Sequence, residues 1–212
     1  MQKQSIKGLL TRGLAELGIL SSQNYADAFE LYRSELQRWN KIHNITSITE
    51  DREIVIKHFL DSLLYLKAFS SNSYSLCDVG SGGGFPGLPI AIISPRAKVT
   101  LLEPSRKRVA FLRQMKRLLH LDNVEIIDCR AEELVDSEFD VVVTRATFSI
   151  ADLLKKAGHL LKESGFFVLS KGPRTEDEIA ELGCSLDAEI IHCNLPFSDA
   201  ERNLIKIKKP GK

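Results

Sequence analysis

The chain lacks most of what would mark a secreted, membrane-bound or metal-stapled protein. Its four cysteines, Cys77, Cys129, Cys184 and Cys193, form no CxxC pair, so neither a disulfide framework nor a thiolate zinc site is indicated. The five histidines (His43, His58, His120, His159, His192) are scattered, and no metal is expected. The most apolar stretches, Phe85–Ser94 and Val141–Val143, fall well short of the roughly 20 residues that span a bilayer. The N-terminal segment carries no signal-peptide pattern. A cytoplasmic protein with reduced, buried thiols and no membrane association is the expectation. Net charge is lacking as well. The 29 Lys+Arg against 28 Asp+Glu leave +1, so any basic footprint for a nucleic acid has to be local. There is no internal repeat and no low-complexity tract. With 43% hydrophobic and 27% charged residues over 212 positions, one globular domain with a helical extension is expected.

Residues 1–70 read as that helical extension. Tyr25, Phe29, Tyr32, Leu36 and Trp39 recur every three or four positions, and Val55, Phe59, Leu63 and Leu66 repeat the spacing over Asp51–Phe69, with Asp51 as the expected N-cap. From residue 71 to 212 the texture changes to strand-like runs alternating with helical ones: 75–79, 98–102, 124–127, 140–144 and 166–169, separated by 88–93, 106–119 and 153–161. Such βαβα alternation calls for a parallel sheet covered on both faces. The last two runs, 189–195 and 203–208, are too close for a crossover helix and predict an antiparallel hairpin. A mostly parallel, seven-stranded Rossmann-like sheet with a terminal antiparallel hairpin resembles the class I S-adenosylmethionine-dependent methyltransferases.

The run from Asp78 to Gly87 (DVGSGGGFPG) follows the first strand and opens a helix at Pro86. Glycines there allow a sharp turn and close approach of backbone N–H groups to a ligand. A dinucleotide fingerprint would place its third glycine where Phe85 stands, and Pro86 offers no N–H to a pyrophosphate. The loop instead suits S-adenosylmethionine, which carries an ammonium, a carboxylate and a sulfonium but no phosphate. Asp78 is placed to meet the ammonium, and Gly80, Gly82 and Gly84 to approach the sugar and carboxylate. Glu103 ends the second strand about 20 residues beyond the loop, where an acid can accept from both ribose hydroxyls. Past the third strand, Ala131 and Glu132 are candidates to approach the adenine, with Asp128 as the alternate.

The sequence resembles the RsmG (GidB) family of 16S rRNA guanine-N7 methyltransferases. The resemblance rests on Trp39–Ser47 (WNKIHNITS), His58–Ser62 (HFLDS), Asp78–Pro89, Lys107–Arg113, Arg130–Glu133, Thr144–Ala146 and Ser170–Gly172. It implies cofactor contacts at Gly80, Phe85, Ala131, Glu132 and Arg145. It also implies a target guanine in the decoding-region (530) loop of 16S rRNA, presented as naked rRNA or in an assembling small ribosomal subunit. A monomer is expected.

The end of the fourth strand lacks both an Asn/Asp-Pro-Pro-aromatic box and a nucleophilic cysteine. Guanine N7 needs neither, because it presents an unprotonated in-plane lone pair and requires no general base. Holding it in line with a methyl donor can contribute roughly 7–11 kcal/mol. Arg and Lys usually grip guanine at O6 and N7 together. Here N7 must stay free, so Arg145 and Lys171, each expected at a strand end, would hold O6 or flanking phosphates; a salt bridge to a neighbouring acid is the competing reading. His58 and Asp61, one turn apart, could serve either as a structural polar pair or facing substrate. For RNA, the segment 105–119 carries six basic residues and no acid. Arg106, Arg113 and Arg117 share one face within about 40°, a reasonable phosphate footprint, with Lys206, Lys208, Lys209 and Lys212 as a second basic patch. Three other readings stay open from the residues alone: a small-molecule methyltransferase, a non-catalytic nucleotide- or RNA-binding module, and a nicotinamide oxidoreductase.

Overall fold

The computed structural model describes residues 5–20, 22–69, 71, 73–145, 149–171 and 186–209. Two helices open the chain. α1 (Ile6–Glu16) is capped by the Ser5 side chain, and α2 (Gln23–His43) by that of Ser22. α2 buries Ala26, Phe29, Tyr32 and Leu36 along the stripe the spacing predicts. It stops at Asn44, in the left-handed conformation that Asn tolerates at a helix end.

The following helix departs from expectation. It runs as α3 (Asp51–Glu53), a π-helical turn (Ile54–Leu60), α4 (Asp61–Leu63) and a 3-10 segment (Leu64–Ala68). Its cap is Glu50, whose side chain accepts from the Glu53 N–H at 2.8 Å. The Asp51 carboxylate is taken instead by Arg33 and by Gln37 Nε2. From Ile54 to Tyr65 only Lys57 is exposed. A one-sided amphipathic helix was expected. This one is buried nearly all round because α1 packs on one side and the sheet with α5 on the other.

The sheet comprises β1 (Ser75–Val79), β2 (Lys98–Leu102), β3 (Val124–Ile127), β4 (Phe139–Thr144), β5 (Leu161–Lys171), β6 (Ala188–Asn194) and β7 (Glu201–Lys208), in the order β3-β2-β1-β4-β5-β7-β6. β3 to β5 are parallel, and β7 joins antiparallel to β5 and β6 as the hairpin predicts. α5 (Gly87–Ile93), α6 (Arg106–Leu118) and α7 (Ile150–Ala157) connect the parallel strands. α5 opens at Gly87 rather than Pro86, which stands at its cap.

Alternate residues of β1 enter different cores. Leu76 joins Leu9, Leu36, Phe59, Leu88 and Phe111 on one face, whereas Cys77 and Val79 join Val142, Leu153 and Phe167 on the other. The first of these clusters therefore runs without a break from the N-terminal helices into the sheet. Cys77 and Cys193 are buried free thiols, Cys129 is half-buried, and Cys184 lies outside the described residues. Among the described residues no helix is long and apolar enough to cross a membrane, and no three His, Cys, Asp or Glu side chains group as metal ligands would.

Candidate cofactor and substrate site

The register fixes where the strands end. Val79 of β1 lies beside Leu102 of β2, and Asp78 beside Val143 of β4. The Gly80 turn, Glu103 and Arg145 therefore leave the sheet as neighbours at its C-terminal edge, where ligands of open α/β sheets bind. Gly80, Gly82 and Gly84 all have positive φ (72°, 58° and 93°). At Gly84 a Cβ would also sit 2.7 Å from the Tyr32 hydroxyl, so neither the backbone nor the space admits a side chain.

A cavity of about 200 Å³ opens beside this turn. It is lined by Val79, Gly80, Leu102, Pro104, Ala131 and Glu132, and by Lys156. Its walls come from the exits of β1, β2 and β3, so Gly80, Ala131 and Glu132 stand together as the sequence predicts. Ala131 is buried, while Glu132 pairs with Lys156 at 3.4 Å. Glu103 stands at the same edge of the sheet. Its carboxylate accepts from the Gly82 N–H at 2.8 Å and the Ser105 N–H at 2.9 Å, and it is 3% exposed. It braces the glycine turn and the start of α6, and it does not line the cavity.

Asp78 is fully buried. One carboxylate oxygen, Oδ2, accepts from the Gly87 N–H at 2.8 Å and so caps α5. The other, Oδ1, makes no hydrogen bond among the described residues. Burial raises the Asp78 pKa to about 7, against the pull of the Gly87 N–H and Arg145. An acceptor stripped of water and left unpaired fits a ligand that brings a donor or a positive charge. The ammonium of S-adenosylmethionine is such a group, and the cavity beside Gly80 suits an adenosine, so these residues fit that cofactor.

Phe85 does not face the cavity. Its ring lies between Tyr32 (centroids 5.4 Å apart, 9° between planes) and His58 (4.2 Å, 8°). Its side chain binds the glycine turn to the N-terminal helices, which leaves its backbone as the part available to a ligand. Tyr32 strengthens the same joint by donating to the Gly83 carbonyl.

Arg145 is the hub on the other side of the turn. Nη2 meets His58 Nδ1 at 2.8 Å, Nη1 donates to the Lys57 carbonyl at 3.0 Å, and Nη1 lies 3.6 Å from Asp61 Oδ2. The guanidinium sits over the Phe85 ring at 5.0 Å. A guanidinium cannot accept, so His58 Nδ1 is the acceptor and the ring's proton is on Nε2. Nε2 then donates to Thr46 Oγ1 at 2.8 Å. Thr46 is held in turn by Asn40, whose Oδ1 accepts from the Thr46 N–H. Burial, then Arg145, lowers the His58 pKa to about 3, so the ring is neutral. The Trp39–Ser47 run thus serves to hold His58, and His58 to hold Arg145.

Asp61 also accepts from Arg202 Nε at 2.7 Å. Arg202, on β7 and 141 positions away, had no sequence signal; only the docking of the hairpin brings it here. The competing reading of Arg145 as a salt-bridge partner is thus realised through Asp61, alongside its place at the strand exit. Lys171 ends β5, but its side chain lies outside the described residues.

On α6, Arg106, Arg113 and Arg117 are exposed together, opposite the buried Val109, Phe111, Leu112 and Met115. Three lysines of the second basic patch have partners within the fold. Lys208 pairs with Asp187, Lys209 Nζ donates to the Leu161 carbonyl and Glu163, and Lys206 lies over the Phe166 ring. Lys212 falls outside the described residues.

The chain is similar to known proteins. Residues 25–205 match the GidB family, described as rRNA small subunit methyltransferase G. The chain is 37% identical to ribosomal RNA small subunit methyltransferase G of Caldanaerobacter subterraneus subsp. tengcongensis, over 99% of this chain and 92% of that protein. It is 36% identical to the Neisseria meningitidis protein of the same name, over 96% and 98%. Among solved structures, a ribosomal protein L11 methylase from Lactobacillus delbrueckii subsp. bulgaricus superposes with TM-score 0.56 at 18% identity, over 73% of this chain and 79% of that one. TYW2 of M. jannaschii in complex with AdoMet does so with TM-score 0.53 at 17% identity, over 71% and 76%. At such identities the structural likeness shows the class I methyltransferase fold.

Proposed function

The chain belongs to the GidB family, rRNA small subunit methyltransferase G, and from that premise we propose that it methylates N7 of a guanine in the 530 loop of 16S rRNA, in the cytoplasm, with S-adenosylmethionine as donor. When bound, the cofactor supplies an electrophilic methyl group. The rest is the work of the chain. Gly80, Ala131 and Glu132 wall the nucleoside cavity, Glu103 keeps the glycine turn in shape, and Asp78 Oδ1 takes the ammonium. Arg145 and Lys171 hold the guanine at O6 or at flanking phosphates, so that N7 stays free. No residue has to remove a proton, which agrees with a neutral His58 whose two ring nitrogens are both engaged. The exposed face of Arg106, Arg113 and Arg117 takes up phosphates.

The observation that carries this reading is Arg145 fixed at the exit of β4 beside the glycine turn, held by His58, the Lys57 carbonyl and Asp61. Incubation with radiolabelled methyl donor and unmodified small-subunit rRNA, followed by nucleoside analysis, tests it. The expected product is 7-methylguanosine. Cofactor binding with no methyl transfer to naked rRNA or to assembling subunits would refute the proposal.

A further inference from the structure

Tyr65 lies on the 3-10 segment just past Asp61 and is fully buried. Its hydroxyl donates to the Thr144 carbonyl of β4 at 2.8 Å and accepts from the Ser170 N–H of β5 at 3.1 Å. Thr144–Leu169 is the last pair of the β4–β5 ladder, so the hydroxyl stands between the two strands just as they end. We propose that Tyr65 is a positioning residue for methyl transfer: its hydroxyl holds β4 and β5 apart at their C-terminal ends and so sets the directions in which Arg145 and Lys171 leave the sheet. The inference rests on the reading of those two residues as substrate-facing.

Three considerations support it. A phenol in an apolar core is unfavourable unless hydrogen-bonded, and a phenylalanine would fill the same volume, so the hydroxyl itself calls for a role. Burial pushes the Tyr65 pKa upward, which keeps the group a donor at neutral pH. A carbonyl and an amide bridged through a hydroxyl also stand farther apart than a directly bonded pair, which opens the sheet edge beside the glycine turn. The same short stretch therefore acts on Arg145 twice. Asp61 meets its guanidinium, while Tyr65 holds the carbonyl of the residue before it.

The test compares wild type with Tyr65→Phe, which keeps the ring and loses both bonds. Methyl transfer to small-subunit rRNA should show kcat lowered about 10- to 100-fold, the scale expected when reacting groups are misplaced by about 1 Å. The Kd for S-adenosylmethionine should stay within about twofold, and hydrogen exchange at the Ser170 amide should accelerate. Replacing Tyr65 with 4-aminophenylalanine, which keeps a donor and an acceptor at the same place, should restore most of kcat and also covers the case in which Tyr65→Phe fails to fold. An unchanged kcat, an unchanged Ser170 exchange rate, a parallel loss of cofactor affinity, or no rescue would each overturn the inference. An inactive wild type would instead sink the proposed function, with the exchange measurement still deciding whether the hydroxyl sets the strand exits.

Discussion

Arg145 shows how one side chain is used at the level of single residues. It sits at 21% side-chain exposure among His58, Asp61 and Phe85, so its direction is set before any substrate arrives. Removing it leaves Asp61 its Arg202 partner, and the space the side chain vacates lets water reach His58 Nδ1 and the Lys57 carbonyl. Arg145→Ala should therefore fold normally and lose about 100- to 1000-fold in methyl transfer, the scale of deleting one preorganised donor. Near-normal turnover in that variant would remove Arg145 from the site. Asp78 offers a measurement of a different kind. Its folded pKa of about 7 lies above its unfolded value, so the folded state holds a proton that the unfolded chain has already lost. Wild type consequently loses stability from this group as pH rises from about 4 to 7. Asp78→Asn keeps an acceptor for the Gly87 N–H but cannot ionise. Its Tm relative to wild type, both without cofactor, should increase with pH across that window. A difference independent of pH would mean that Asp78 is already ionised in the fold.

At the level of elements, α6 has two faces with separate duties. Val109, Phe111, Leu112 and Met115 anchor it to the core, which frees Arg106, Arg113 and Arg117 to project from the surface. Reversing Arg113 and Arg117 to Glu should leave Tm within a degree or two, since exposed charges contribute little to stability. It should weaken rRNA binding and reduce the slope of log K against log salt by about 1 per residue. An unchanged slope would eliminate this helix as the phosphate footprint. Lys206, Lys208 and Lys209 each have a partner within the fold, respectively the Phe166 ring, Asp187 and Glu163.

For the whole molecule the decisive fact is continuity. Leu14 is fully buried in the same cluster as Leu60, Leu76 and Val143, so the N-terminal helices and the sheet share one core. Leu14→Ala should cost about 2–5 kcal/mol. Unfolding followed by fluorescence of the single tryptophan, Trp39 on α2, should coincide with unfolding followed by far-UV circular dichroism. Two separated transitions would show that residues 1–70 melt as an independent unit. Coupling of this kind has a functional side. Tyr32, Phe85, His58 and Arg145 form one stack from α2 to the exit of β4, so loosening the helices should also loosen the site.

Local pattern was enough to read β1, β2 and β3 to the residue, the α6 stripe, the terminal hairpin and the place of the glycine turn. Those features depend on short-range rules: period-two burial, helical spacing, and a chain too short for a crossover. The burial of Ile54–Tyr65 on nearly every side was not legible, because a helix cannot announce how many neighbours will pack on it. Nor were the uses of Glu103, Phe85, His58 and Asp61, whose residue types allowed a ligand contact or a structural bond equally well. Arg202 and Tyr65 gave no signal at all, since each acquires its meaning from a partner at least 79 positions away. The amino-acid order determined which strands and helices form and where the glycine turn falls between them. Only the tertiary packing decided which polar groups meet at the sheet edge, because that depends on long-range register and on which buried donors and acceptors find one another.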